Sequence, residues 1–206
     1  MLRYFLNRLF LKYFDFDQAI KIYESRKNIA FRRLCEIDGT SFFHLESGLV
    51  NQQRDKTKIK VGANTHIRGH LQIFGQGGAI VIGDDCYVGE DSKIWSADKI
   101  EIGNRVLIAH NVNVHDNISH PLDASMRNKD YLRIIGKNAS SVYDFDLRAS
   151  PIKIGNDVWV GFNSTILKGV TIGDGAIIGA CSLITKDVDA WTVVAGNPAK
   201  VIKQLK

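Results

Sequence analysis

Six histidines stand among the 206 residues, and of these only His120 directly precedes a proline. Imidazole, with an unperturbed pKa near about 6.5, is the natural side chain for taking a proton from a hydroxyl at neutral pH. Pro121 restricts the His120 backbone to extended conformations, which helps fix where the ring points. A neutral base works best when its other nitrogen donates to an acceptor that sets the tautomer. Asp116, four residues before His120, is the expected partner, with Asp123 as second choice and a backbone carbonyl as the third. His115 is placed to bond hydroxyl groups or to shape the same segment. His110, His115 and His120 also show H-x4-H spacings, the one hint of a zinc set. Cys35, Cys86 and Cys181 form an odd set without C-x-x-C spacing, so they read as separate, reduced thiols in a cytosolic protein, with Cys86 and Cys181 packed inward.

What must position these residues is a repeat. Aliphatic beats fall at Val61, Ile67, Ile73; Ile82, Val88, Ile94; Ile102, Ile108, Val114; and six times from Ile154 to Ile184. Most are six apart, and Gly often follows, as at Gly83, Gly103, Gly155 and Gly173. A helix would repeat at 3.6 and a plain strand at 2. A six-residue period marks an all-β parallel β-helix, whose units bury their apolar faces only by stacking. Three units make a turn, so the beats predict about five turns over residues 59–189. The interval from Val114 to Ile154 breaks register and must leave the coil as a long loop, over 115–151, which carries His120. Residues 1–58 read as a helical and irregular lead-in, and 190–206 as a strand with a capping helix from Ala199 to Lys206.

A net charge of +5 and 45% hydrophobic residues fit a mildly basic globular protein. No aromatic-and-basic nucleic-acid motif is present. From Met1 to about Phe16, Leu2, Phe5, Leu6, Leu9 and Tyr13 keep helical spacing against Arg3, Arg8 and Lys12. This segment is too short and charged to span a bilayer and has no signal-peptide cleavage site. It is expected either to pack on its own assembly or to touch an anionic membrane surface. A cytoplasmic protein, peripheral at the membrane's inner face in the second case, is the corresponding expectation.

The runs I-G-N-R-V-L-I-A-H-N-V, His120-Pro121, I-G-N-D-V-W-V-G and A-G-N-P-A-K-V-I-K resemble the hexapeptide-repeat acyltransferases. The likeness is to the sugar O-acetyltransferases of galactoside, maltose and nodulation-factor type and to their polysaccharide-modifying relatives, and it covers about Ile59 to Lys203. The resemblance implies a left-handed coil, a homotrimer with active sites between subunits, and acetyl-CoA as acyl donor, with no metal. It implies His120 as the catalytic base. Trp159 would wall the donor groove, and Gly161 would offer a backbone N–H to the thioester oxygen. Ala180 would meet the pantetheine arm, Thr185 and Lys186 would border its far end, and Lys200 and Lys203 would lie near the nucleotide phosphates. Trp95, Asp98 and His115 are expected on the acceptor side. Gly89 departs from the galactoside-type pattern at the acceptor, so that acceptor preference does not carry over, and Phe162 departs from it at a donor contact.

The expected reaction is direct acetyl transfer to a sugar hydroxyl, of a surface polysaccharide or its precursor, without a covalent enzyme intermediate. Transfer to an amino sugar or another small hydroxyl acceptor is the alternative. A γ-class carbonic anhydrase and a non-catalytic glycan-binding solenoid are the remote ones.

Overall fold

The computed structural model describes residues 15–137 and 145–205. The helix expected at the chain's start therefore lies, apart from its end, outside the described residues, as do Tyr143 and Asp144 of the loop. Helix α1 (Phe16–Phe31) comes first, with the Asp15 carboxylate accepting from the Gln18 N–H at 2.9 Å.

The aliphatic beats then become short strands. The first coil holds β1 (Glu36–Ile37), β2 (Phe42–Phe43) and β3 (Gly48–Asn51), and the second β4 (Ile59–Val61), β5 (His66–Ile67) and β6 (His70–Ile73). The third holds β7 (Ile80–Ile82), β8 (Tyr87–Val88) and β9 (Lys93–Ser96), and the fourth β10 (Ile100–Ile102), β11 (Leu107–Ile108) and β12 (Asn113–His115). An excursion follows, carrying helix α2 (Ala124–Ile134). The fifth coil is β13 (Ile152–Ile154), β14 (Trp159–Val160) and β15 (Thr165–Leu167); the sixth is β16 (Thr171–Ile172), β17 (Ile177–Ile178) and β18 (Leu183–Ile184). Strands β19 (Thr192–Gly196) and β20 (Ala199–Gln204) end the chain.

From β4 to β19 each strand pairs in parallel with its counterpart one coil below, which makes a three-sided prism. Face one stacks β1, β4, β7, β10, β13 and β16; face two stacks β2, β5, β8, β11, β14, β17 and β19; face three stacks β3, β6, β9, β12, β15 and β18. The beats point into the prism, where Ile94, Ile108, Val114, Val160 and Ile166 are fully buried. Removing such apolar surface from water drives the stack.

Two expectations fail here. The coil starts at Glu36 rather than at residue 59, and Val188 bridges Ile172 while β19 extends face two. Six complete coils and most of a seventh replace the expected five turns. The C-terminal helix is instead β20, antiparallel to β19. Tertiary context overrides local preference: face two would otherwise end in an open row of N–H and C=O groups, and a hairpin strand covers it.

The corners explain the rest of the hexapeptide. Between faces one and two, Asp84, Asn104, Asn156 and Asp174 stack, and each side-chain oxygen accepts a backbone N–H from the coil below at 2.7–2.9 Å. Gly83 precedes such a corner because a Cβ there would sit 2.3 Å from Asn104 Oδ1. Asp91, Asn111, Asn163 and Cys181 adopt positive φ at the next corner, between faces two and three. Cys181 is therefore exposed rather than packed inward, while Cys86 is buried.

Helix α1 closes the opposite end. The buried Asn28 side chain accepts from the Phe43 N–H at 2.9 Å and donates to the Phe43 carbonyl at 2.8 Å, standing in for a neighbouring strand. Lys27 Nζ donates to the carbonyls of His44, Leu45 and Ser47.

Candidate active site

The excursion leaves face three after β12 and returns to face one at β13, so it roots at the edge between those faces. Asp116 makes that root. Its carboxylate accepts from Ser96 Oγ at 2.6 Å, the Ala97 N–H at 2.7 Å, and the Asp98 N–H and Asn117 Nδ2 at 3.0 Å each. Its carbonyl accepts the Ser150 N–H at 2.8 Å, which joins the two ends of the excursion. Asn117 Oδ1 takes the Ser119 N–H at 2.8 Å, and Ser119 turns through positive φ into His120.

Asp116 is thus fully buried and spent on the root, and it does not orient His120 as the sequence suggested. Asp123, the second choice, caps α2 by accepting the Met126 N–H at 2.8 Å. The partner is Asp130. Its Oδ2 lies 2.8 Å from His120 Nδ1, and its Oδ1 accepts from Arg133 Nη2 at 2.9 Å and Nε at 3.3 Å. The Asp130 side chain is 1% exposed and that of His120 52%. Arg127 Nη1 braces the turn between them by donating to the carbonyls of Pro121 at 3.2 Å and Leu122 at 3.0 Å.

Burial alone would raise the Asp130 pKa, but the hydrogen bonds from His120 and Arg133 together outweigh it and hold the carboxyl below the ordinary carboxylate value. Asp130 is ionised at neutral pH, so the proton of this contact belongs on His120 Nδ1 and the lone pair on Nε2. A lowered folded value means stability that is fully present above the ordinary carboxylate range and lost as pH falls through that lowered value. Urea midpoints measured from pH 7 down to pH 3 are expected to fall more steeply for the native chain than for Asp130→Asn.

Trp95 and His115 stand side by side on face three, at paired positions of β9 and β12, with rings stacked at 4.9 Å and 15°. Trp95 Nε1 and His115 Nε2 are buried without a hydrogen-bond partner among the described residues. Burial, then the nearby Lys93 charge, lowers the His115 pKa and keeps the ring neutral. Asp98 is exposed on the edge that roots the excursion. His110 instead stacks on Phe162 at 5.2 Å, at the corner between faces two and three. The three H-x4-H imidazoles thus take three separate partners, and among the described residues no group of three or more His, Cys, Asp or Glu side chains gathers where it would hold a metal ion.

The residues expected on the donor side lie elsewhere on the same chain. Trp159 sits on face two, 52% exposed, in register with Leu107 below and Ile177 above. Face two is the side of the prism opposite the edge that roots the excursion, so a single chain does not bring Trp159 to His120. Gly161 follows at the corner, but its N–H is already donated to the Ile178 carbonyl at 2.8 Å, which removes it as a thioester donor. Glycine is required there because a Cβ would lie 2.6 Å from the Ala180 nitrogen. Ala180 is exposed one coil above, Thr185 and Lys186 are exposed after β18, and Lys200 and Lys203 are exposed on β20 rather than on a helix. A hollow of about 650 Å³ lies on face one between Arg32, Glu36 and Lys60 and shares no residue with any of these groups.

A parallel three-faced coil with one elaborated excursion that holds an oriented imidazole defines the class. Residues 151–186 match the bacterial transferase hexapeptide family (six repeats), and residues 79–115 match the hexapeptide repeat of succinyl-transferase. Galactoside O-acetyltransferase of Escherichia coli is 38% identical over 145 residues, covering 70% of this chain and 63% of that enzyme, so the chain spans less than two thirds of that relative. A chloramphenicol acetyltransferase of Klebsiella aerogenes is 33% identical over 76% of this chain and 72% of its own length. The putative colanic acid biosynthesis acetyltransferase WcaF of Escherichia coli is 32% identical over 70% and 69%. Among solved structures, the N-acyltransferase AntD of Bacillus cereus, in complex with dTDP-4-amino-4,6-dideoxyglucose and coenzyme A, superposes with a TM-score of 0.68 at 17% identity, over 88% of this chain and 89% of that one. The chain belongs to the hexapeptide-repeat acetyltransferases.

Proposed function

We propose that this protein transfers an acetyl group from acetyl-CoA to a sugar hydroxyl, on a surface polysaccharide or its precursor, with His120 as general base. The observation that carries the reading is the 2.8 Å contact from His120 Nδ1 to the buried Asp130 carboxylate, which leaves Nε2 as the proton acceptor. Nε2 takes the hydroxyl proton as the acceptor oxygen bonds to the thioester carbon. The tetrahedral intermediate then collapses, the carbon–sulfur bond breaks, and the coenzyme A sulfur leaves with the proton from the imidazolium. No enzyme nucleophile takes part.

The donor groove is completed by a neighbouring copy. Trp159, Ala180, Lys200 and Lys203 of one subunit would face His120 of the next, a placement supported by their separation across the prism and implied by the family resemblance for a trimer. Basic groups near the far end suit the phosphates of coenzyme A. Trp95, Asp98 and His115, on or beside the edge that roots the excursion, are assigned to the acceptor side. The polysaccharide reading draws on the likeness to WcaF and on the length of the excursion; the chloramphenicol relative keeps a smaller hydroxyl acceptor as the alternative.

Incubating the purified protein with acetyl-CoA and a panel of glycans, amino sugars and chloramphenicol tests this directly. Acetyl incorporation into a glycan hydroxyl is expected, with stoichiometric release of free coenzyme A. Release no faster than a protein-free blank on every acceptor would defeat the enzymatic reading. Acetylation of amines alone would move the acceptor from hydroxyl to amino group.

A further inference from the structure

The charge of this chain is not spread along it. Residues 1–33 hold eight Lys or Arg against three Asp or Glu, a net of +5, which is the formal net charge of the whole chain. The remaining coil, excursion and hairpin are therefore neutral overall. The same end of the molecule shows apolar surface to solvent. On α1, Ile20, Ile22, Tyr23 and Ile29 are exposed, the last two by 57% and 58%, while Lys21, Arg26 and Arg33 are exposed beside them. Only Asn28 of this helix is buried, held on the Phe43 backbone, so α1 caps the prism with one side and leaves the rest outward.

We infer that this end of the solenoid docks on an anionic lipid surface, with α1 lying in the interface. Exposed aliphatic and tyrosine side chains interleaved with lysine and arginine are what an in-plane helix presents to headgroups and the upper acyl region. Each basic residue near such a surface contributes electrostatic attraction that falls off within a Debye length. The preceding residues 1–14 add three basic and no acidic side chains along with further leucines and phenylalanines, so the sequence carries the same chemistry up to the helix. Docking end-on leaves all three faces free. The excursion with His120 roots at the fourth coil, three strand spacings from the first, or roughly 15 Å along the axis. That height suits an acceptor sugar held at the membrane surface by a lipid. The inference itself does not depend on acetyl transfer.

Flotation of the full-length protein with vesicles of phosphatidylcholine alone, and of phosphatidylcholine with phosphatidylglycerol, tests it. Partition into the anionic vesicles only is expected, weakened as salt is raised. Lys21→Gln with Arg26→Gln should lower that partition about thirtyfold, and Ile22→Ser with Ile29→Ser should also lower it. Neither pair should alter acetyl-CoA turnover on a soluble acceptor. Failure to float, or equal flotation with neutral vesicles, overturns the inference. So does a change in sedimentation coefficient in place of a change in flotation, which would make the α1 surface a contact between protein copies. A chain that floats but releases no coenzyme A keeps the docking and loses the proposed activity, so the two readings fail separately.

Discussion

With His120 replaced by alanine, turnover of acetyl-CoA falls by about 10²- to 10⁴-fold, the usual contribution of a positioned general base. The protein still folds and still binds coenzyme A. The half-exposed imidazole contributes one hydrogen bond to the fold, to Asp130 Oδ2. Its loss leaves a carboxylate oxygen that was paired in the native chain, at a cost of at most about 1–3 kcal/mol where water does not replace the ring. Coenzyme A binding should hold because Trp159, Ala180, Lys200 and Lys203, the groups assigned to the donor, are all retained on or beside face two. Steady-state release of coenzyme A, set beside calorimetric titration of coenzyme A into the same variant, separates the two effects. An unchanged rate with a glycan acceptor would remove His120 from the base role and return the site to the edge residues Trp95, His115 and Asp98.

How far the chain announced this arrangement depends on what each residue answers to. The inward beats are legible because every coil imposes the same demand, an aliphatic side chain each six residues and a tight corner after it. The first coil obeys that demand too, with Ile37, Phe43 and Leu49 six apart, yet an aromatic beat without a following glycine hides it. The last strand is hidden for a different reason. Val201, Ile202 and Leu205 suit a helix stripe as well as a strand, and only the open edge of β19 decides between them. Neither carboxylate close to His120 in sequence is free to meet it. The corner between the third and fourth coils needs an acceptor for two backbone N–H groups and Ser96, and Asp116 meets that need, while Asp123 caps the helix of the excursion. Asp130 lies ten residues on, within a helix whose signals are the Asp123 cap and the i,i+3 pair with Arg133. Those signals mark a helix. They do not tell which side of it the histidine meets, because that depends on where the excursion is tied, at Ser150 and Leu147.

Asp130→Asn gives the most discriminating result, because the amide must choose which end to present. Arg133 approaches Oδ1 with two N–H groups, at 2.9 and 3.3 Å, and a guanidinium has no acceptor to offer. The introduced amide therefore turns its oxygen to Arg133 and its NH2 to His120. That donor forces Nδ1 to become the acceptor, which moves the ring proton to Nε2 and leaves no lone pair facing the substrate. Turnover should fall by roughly 10²- to 10⁴-fold although the substitution changes almost no volume, as expected when a catalytic imidazole is held in the wrong tautomer. Adding Arg133→Met removes the donors that pin the amide. Its oxygen is then free to swing to His120, the productive tautomer returns, and at least about tenfold of the lost rate should be regained. A purely structural Asp130 makes the opposite forecast: the double variant, having lost both members of a buried ion pair, would be slower than the single one. Single-turnover rates of native, Asp130→Asn and Asp130→Asn/Arg133→Met proteins at saturating acetyl-CoA decide between them, and a double variant slower than the single would end the positioning role of Asp130.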